Sequence, residues 1–401
     1  MKRKEMKKNI QIFVPATLGM LTAFGPFVTD FYLPVLPEMA GYFNTSASNA
    51  SLSLTMGMIG LATGQIFIGP LTDKYGRKNI LVSSMLLFCL SSFFCIFASD
   101  IVMFNAMRFL QGVAGAGGIV ISKSIATDMY SGNQLAAFMA ILGAINGIAP
   151  VCAPVIGGLM AGIASWQGVF GILLAVGFIL MICSAFLRET LLPDMRIHKS
   201  LTHVYANLFH VFRNPCFALC VLSTMFCFFA FFGYIASSPF ILQHEYGLSP
   251  FHFSLCFGIN ALMIGAGSAA STRFKHQSSC LKSGALHLLL SSIAITVCLA
   301  VHFPLPVLMA AYIYMMIAFG LMQPSLTAIA LDSERANAGA ASAIFGASGF
   351  IAGAISSPLV AAGNIAISSG AVMTCGSLAC LACILMLCKK ARGEQVLQGF
   401  S

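Results

Sequence analysis

Gly69-Pro-Leu-Thr-Asp73-Lys-Tyr-Gly76-Arg77-Lys78 gathers three cations, one acid and two glycines between an apolar run that ends near Leu71 and another that begins at Ile80. Each of those runs is free of charge from Ala50 to Leu71 and from Ile80 to Ala98. A bilayer core of about 30 Å is crossed by about 20 apolar helical residues, so the segment reads as a short polar turn joining two membrane-spanning helices. Gly76 permits a tight bend, and Asp73 can accept from a helix N-terminus or pair with a nearby cation. On its residues alone the turn is either a clasp that engages in one state and releases in another, or a solvated basic turn.

The same criterion, carried outward from this turn, divides the chain into twelve apolar runs: Ile10 to Leu36, Ala50 to Leu71, Ile80 to Ala98, Ile101 to Ser122, Gln134 to Ile163, Gly168 to Leu187, Pro215 to Leu242, Pro250 to Thr272, Ser283 to His302, Leu305 to Leu331, Ala336 to Ala362 and Ile365 to Cys388. With 58% hydrophobic and 8% charged residues among 401, the chain lacks the charge to cover a water-soluble surface. Disorder and collagen are excluded on the same grounds. The net charge of +9 is spread between the runs and gathers on no amphipathic face, so nucleic acid is not an expected partner. Nearly all of the 14 cysteines lie inside apolar runs and read as small buried hydrophobes, and the Cys380/Cys383 pair has no further ligands to suggest a metal. The basic N-terminus followed by a long apolar stretch predicts a retained first span.

Cytoplasmic loops hold the excess of Lys and Arg, and with the N-terminus inside, 20 of the 21 fall on that side; the remaining one, Arg108, is inside the fourth run. The expected protein is therefore a multi-pass inner-membrane protein with both termini cytoplasmic. Its longest charged connection, Arg188 to Arg213, divides the runs six and six, predicting an N-terminal half (1–188), a linker (189–213) and a C-terminal half (214–401). Sliding the halves by about 203 residues sets Pro154 over Pro358 and Pro37 near Pro239. The expected fold is all-α: twelve transmembrane helices in two six-helix halves around a central cavity, an arrangement suited to transport.

Asp30 is the acid placed deep within a span, and a buried carboxylate is costly enough to point to function. Counting about 1.5 Å per residue inward from Pro37 and from Asp100 places Asp30 and Arg108 at similar depth, where they can meet or communicate. Arg108 keeps its charge, whereas Asp30 can bind and release a proton. In the fifth run Gly143, Gly147, Pro150, Pro154, Gly157 and Gly158 describe a bendable, closely packing helix. Polar or aromatic residues stranded in spans, Tyr32, Asn146, Phe232, Tyr234, Asn260 and Tyr312, are candidates to line a substrate cavity. His287 and His302 read as interfacial.

The turn at Gly69–Lys78 resembles, almost position for position, the signature loop of the major facilitator superfamily. The resemblance implies that Gly69, Asp73, Gly76, Arg77 and Lys78 belong to a cytoplasmic gate that latches the outward-facing state. Asp30-Phe-Tyr-Leu-Pro34-Val-Leu-Pro37 and Arg108-Phe-Leu-Gln111-Gly112 resemble the first- and fourth-span motifs of its proton-coupled exporters, which implies proton coupling through Asp30 and Arg108. Pro154-x-x-Gly157-Gly158 resembles the antiporter signature of the fifth span, departing from it at Ala153. Nearly the whole chain is similar to bacterial exporters of the bicyclomycin and chloramphenicol resistance type. Further stretches of likeness begin at Gly233, Gly320 and Ala338. The resemblance implies a monomeric proton-coupled antiporter exporting small, largely apolar drugs, with no cofactor beyond the proton gradient. A proton-coupled symporter importing a metabolite is the alternative. No GxxxxGK[ST] or HExxH motif is present, and no enzymatic activity is expected.

Overall fold

The computed structural model describes residues 13–196, 205 and 209–393. Lys2, Arg3, Lys4, Lys7, Lys8 and Lys199, used in the charge count, lie outside the described residues, as does much of the 189–213 connection. Every described element is helical. In chain order they are α1 (a bent pair, Phe13–Thr22 and Phe24–Tyr42), α2 (Ala47–Tyr75), α3 (Arg77–Ile96), α4 (Ile101–Met129), α5 (Gly132–Ala161), α6 (Trp166–Phe186), α7 (Pro215–Phe240), α8 (Pro250–Ser271), α9 (Gln277–Val301), α10 (Leu305–Ser333), α11 (Ala338–Val360) and α12 (Ile365–Gly393). Eleven are each long and apolar enough to cross a membrane, and the α1 pair, bent by 45°, makes the twelfth.

Local chemistry sets these boundaries. Ser46, Asp100, Asn214 and Ser249 accept backbone N–H bonds at the starts of α2, α4, α7 and α8, and proline occupies the first turn of the last two. In α1 Pro26 leaves the Thr22 carbonyl without its ladder donor, at the bend. Pro34 does the same to Asp30, whose carbonyl accepts instead from Leu33 at 3.3 Å as the chain tightens into a 3₁₀ turn at Leu33–Val35.

The packing repeats when six is added to each helix number: α2 lies on α4 as α8 lies on α10, α3 on α6 as α9 on α12, and the two sets join along α2–α11 and α5–α8. A Cβ on Gly60 would fall 2.1 Å from the Phe109 carbonyl oxygen, and one on Gly112 2.2 Å from that of Gly57; Gly267 and Gly320 stand in the same relation to Ile317 and Ile264, at 2.2 and 2.1 Å. Glycine is required at these crossings because backbone touches backbone. The matching glycines are separated by 207 and 208 residues, while the starts of α2 and α8 and of α4 and α10 lie 203 and 204 apart, close to the offset of about 203 suggested by the prolines. The outer helices α3, α6, α9 and α12 expose large apolar side chains at helical spacing, such as Leu86, Leu90, Phe93 and Phe97, or Leu286, Leu290, Ile293 and Val297. That stripe suits contact with lipid.

Candidate functional site

Asp30 sits at the 3₁₀ fracture of α1, 4% exposed, and its Oδ1 has no hydrogen-bond partner. The expected meeting with Arg108 takes a different form. The Arg108 guanidinium is fully buried, donates to the Val28 carbonyl and to Gln111, and lies 4.2 Å over the Tyr32 ring. Val28 and Tyr32 share one face of α1, whereas Asp30 is about 200° round from Val28. Depth was therefore legible and azimuth was not: Arg108 is anchored two residues from Asp30 but forms no ion pair with it. Gly57 leaves the space for the guanidinium, since a Cβ there would be 3.1 Å from Nη2. Gln111 passes the network on to Ser92 at 2.7 Å, and the Tyr32 hydroxyl and Ser53 are bonded at 3.0 Å.

Across the boundary between the helix sets, Tyr234 of α7 is buried. Asn260 of α8 donates to the Tyr234 hydroxyl at 2.9 Å, leaving its own Oδ1 unpaired, and the Tyr312 ring lies 4.8 Å from that of Tyr234 with an unpaired hydroxyl. Phe232 packs beside Phe350 and Met58. Tyr32, Phe232, Tyr234, Asn260 and Tyr312 are all buried, so they line no open space here; Asn146 alone among the six candidates is exposed.

The Gly69–Lys78 turn is a built cluster. Arg77, 7% exposed, donates to Thr72 at 2.7 Å, to Asp73, and to Asp128 of α4 at 3.1 Å. Thr190 donates to the same Asp128 oxygen at 2.8 Å. Glu189, just beyond α6, accepts the backbone N–H groups of Arg77 and Lys78 at 2.9 and 3.2 Å and so caps α3, with Arg196 4.0 Å away. Partial burial opposes the Glu189 charge, but the N–H groups of Leu191, Arg77, Lys78 and Thr190 outweigh it and hold the carboxyl below its usual range. Gly76 has φ +95°, and a Cβ there would lie 2.4 Å from the Glu189 carboxylate. Gly69 is half-buried near Val120. Every side-chain partner found in this cluster comes from α2 to α6 or the segment just after α6.

Helix α5 shows where the two sets meet and where they part. At the end opposite the turn, Pro154, Gly157 and Gly158 are buried; a Cβ on Gly157 would be 1.9 Å from the Phe31 carbonyl oxygen, and one on Gly158 2.0 Å from Ser254 of α8. Gln243 bonds the Pro34 carbonyl at 3.1 Å and Ser357 that of Ser51 at 3.3 Å at this same end. Toward the turn, Gly143 and Gly147 have open space where a Cβ would stand, and α5 is exposed at Ala144, Asn146 and Ile148 around the half-buried Pro150. Gly265 on α8 is equally bare. The α5–α8 seam is thus shut at one end and open toward the turn.

Sequence reasoning missed Asp128, Glu189 and Gln65, whose amide reaches Gly346 of α11. The position of the two acids at the ends of apolar runs, on the side of the turn, was the available signal. His287 is corrected: α9 begins at Gln277, so His287 lies mid-helix, where its Nδ1 and the Tyr314 hydroxyl are 2.6 Å apart. Lys123, counted as a loop cation, lies within α4.

Comparison with known proteins agrees with this geometry. The family profile described as Major Facilitator Superfamily matches residues 18–357. An uncharacterized MFS-type transporter of Bacillus subtilis, YdgK, is 35% identical over 363 residues, 89% of this chain and 90% of its own. A bicyclomycin resistance protein homolog of Haemophilus influenzae is 28% identical over 269 residues, 67% of each chain. Among solved structures, the xylose transporter XylE from E. coli in a partially occluded inward-open conformation superposes with TM-score 0.69 at 15% identity, covering 92% of this chain and 96% of its own.

Proposed function

The chain belongs to the Major Facilitator Superfamily, and from that premise we propose that it is a proton-coupled antiporter exporting small, largely apolar antibiotic-like compounds. It is a multi-pass membrane transporter, not an enzyme. The observation that carries the coupling is Asp30: a buried carboxyl at a helix fracture, with an unpaired oxygen and, among the described residues, no ion pair. Such a group binds a proton while sealed from water and gives it up when its side of the protein opens. Fractured backbone at Pro34 lets α1 flex there without breaking a regular ladder.

In this reading the turn faces the cytoplasm of a bacterial cell and both termini lie on that side, as the Lys and Arg distribution favours. The open seam then faces inward, the Asp73–Arg77–Asp128 cluster is a gate whose cross-half engagement belongs to the opposite state, and Gly157 and Gly158 seal the outer end. Substrate enters from the cytoplasm beside Tyr234, Asn260 and Tyr312, where the unpaired Asn260 Oδ1 and Tyr312 hydroxyl can bind it, and displaces the Asp30 proton. The name of the Haemophilus relative supports an antibiotic as cargo.

The test is proton release from purified protein in proteoliposomes on addition of a panel of antibiotics. Wild-type protein should release protons with a transported compound, and Asp30→Asn should release none while remaining folded. Undiminished release from Asp30→Asn would remove Asp30 from the coupling role.

A further inference from the structure

A groove of about 340 Å³ runs along the α2–α11 seam, one of the two junctions between the helix sets. One wall is α2 from Ile59 to Phe67, the other is α11 from Ile351 to Ile355, and Thr63 is the one polar side chain among its lining residues. Residue size gives it its shape: Ala62 and Ala354 are buried at the floor, while Phe67 is exposed on one rim and Ile351 and Ile355 on the other. Behind the floor the seam is shut. A Cβ on Gly346 would meet the Gln65 amide oxygen at 2.2 Å, and one on Gly353 the Met58 sulfur at 2.5 Å. The groove therefore opens away from the middle of the bundle, and because both walls are membrane-spanning helices it opens to lipid.

By helical rise Ile59 to Phe67 covers about 12 Å, most of the roughly 15 Å that one leaflet contributes to the hydrocarbon core. Ile59 lies near the middle of α2 and Phe67 toward the end that carries the turn. The groove thus follows the path of an acyl chain, from the bilayer centre to the interface on the side of the turn. That end is marked by aromatic and polar groups: the Tyr205 ring lies 5.1 Å from that of Phe67, and its hydroxyl donates to the Phe67 carbonyl at 3.0 Å. Lys74 follows Phe67 by seven residues, so it shares that face about 10 Å nearer the water. Its ammonium stands 5.6 Å over the exposed Tyr75 ring and, among the described residues, in no ion pair. A chain lying in the groove is touched on three sides instead of one, which gives it dispersion contact that lipid on a smooth helix face lacks.

We propose that this groove binds one acyl chain of a phospholipid from the leaflet nearest the Asp73–Arg77 turn, with the lipid phosphate paired to Lys74. Its two walls belong to different helix sets, so the bound lipid bridges the sets from outside. The site lies off the path assigned to cargo and protons and does not depend on the transport reading.

The full chain in phosphatidylcholine nanodiscs is irradiated with a trace of phosphatidylglycerol carrying a diazirine on one chain, and adducts are mapped by peptide mass spectrometry. The α3 stripe at Leu86, Leu90 and Phe93 is exposed to the same bilayer and reports ordinary lipid contact. In wild-type protein, adducts on the two groove walls should exceed those on the stripe about three-fold, in line with contact on three sides instead of one. Ala354→Leu, whose side chain fills the groove, should bring them down to the level of the stripe. Uniform labelling of groove and stripe in wild type would overturn the site, as would groove adducts undiminished in Ala354→Leu. A diacylglycerol with the same photoreactive chain separates the phosphate from the chain. Lys74→Gln should lower groove labelling by the phospholipid about five-fold and leave that by diacylglycerol unchanged, and Lys74→Arg should restore it. Equal groove labelling by the two lipids in wild type would overturn the pairing with Lys74. Displacement of the phospholipid by excess N-phenyl-1-naphthylamine, a neutral apolar solute, would overturn the lipid as occupant. Asp30→Asn should label as wild type does, so failure of the coupling reading and failure of this one give different results.

Discussion

Alanine at Gly158 should shift the protein toward the state open at the end opposite the Asp73–Arg77 turn. A Cβ at this position would stand 2.8 Å from the Ser254 Cβ and 2.9 Å from the Pro250 carbonyl oxygen, both on α8 in the other helix set. Neither atom moves with a side-chain rotation, so α5 must withdraw from α8. Overpacking of this kind costs roughly 1–3 kcal/mol. The contact belongs to the closed end of the α5–α8 seam, so the cost falls on that state and changes the ratio of states by roughly five- to 150-fold. Gly147 is the internal control: it lies on the same helix, and a Cβ there meets nothing within 4 Å. Spin labels at the exposed Ile163, just past α5, and Leu255 on α8 report the separation of that end by double electron–electron resonance. Gly158→Ala should populate a longer distance that Gly147→Ala does not. Identical distance distributions for the two variants would refute the reasoning.

Arg108→Lys should lower thermal stability by about 3 kcal/mol or more, because one ammonium cannot reproduce the bonds to Val28 and Gln111 together with the stacking on Tyr32; a melting temperature equal to wild type would contradict this. Gly76→Ala should also destabilise, by roughly 1–3 kcal/mol, since φ +95° is strained for alanine and its methyl would meet Glu189; denaturation in detergent measures it. Glu189 is held below its ordinary value of 4.5, so its contribution is fully present above that value and is lost as pH falls through the lower folded one. Melting temperature followed through the acid range should accordingly fall less steeply for Glu189→Gln than for wild type, and parallel curves would show that the cap adds nothing.

Much of this architecture was legible because the determinants are local. Pro37 and Asp100 mark the outer ends of the first and fourth spans, and Asn214 caps the start of α7. The charge cluster at Asp73 and Arg77 was visible because its partners are four residues apart. Its other half was not: Arg77 finds Asp128 and Glu189 across 51 and 112 residues, and only tertiary folding brings them together. Depth along a helix comes from residue counting, which is why Arg108 was placed near Asp30. The direction a side chain takes depends on which face is packed, and Val28 and Tyr32 occupy the face that Arg108 reaches. Polar residues stranded in apolar runs were expected to line a cavity, whereas Tyr234 and Asn260 are buried against one another, a pairing between α7 and α8 that spacing along the chain does not reveal.

The four glycine crossings leave each six-helix block with no compressible layer between its central rods. Elastic give is thereby confined to the two junctions between blocks, and the work of switching is decoupled from the cohesion of either block. Substitutions that harden the blocks should raise heat tolerance without slowing turnover, so this scaffold escapes the usual exchange of robustness for speed.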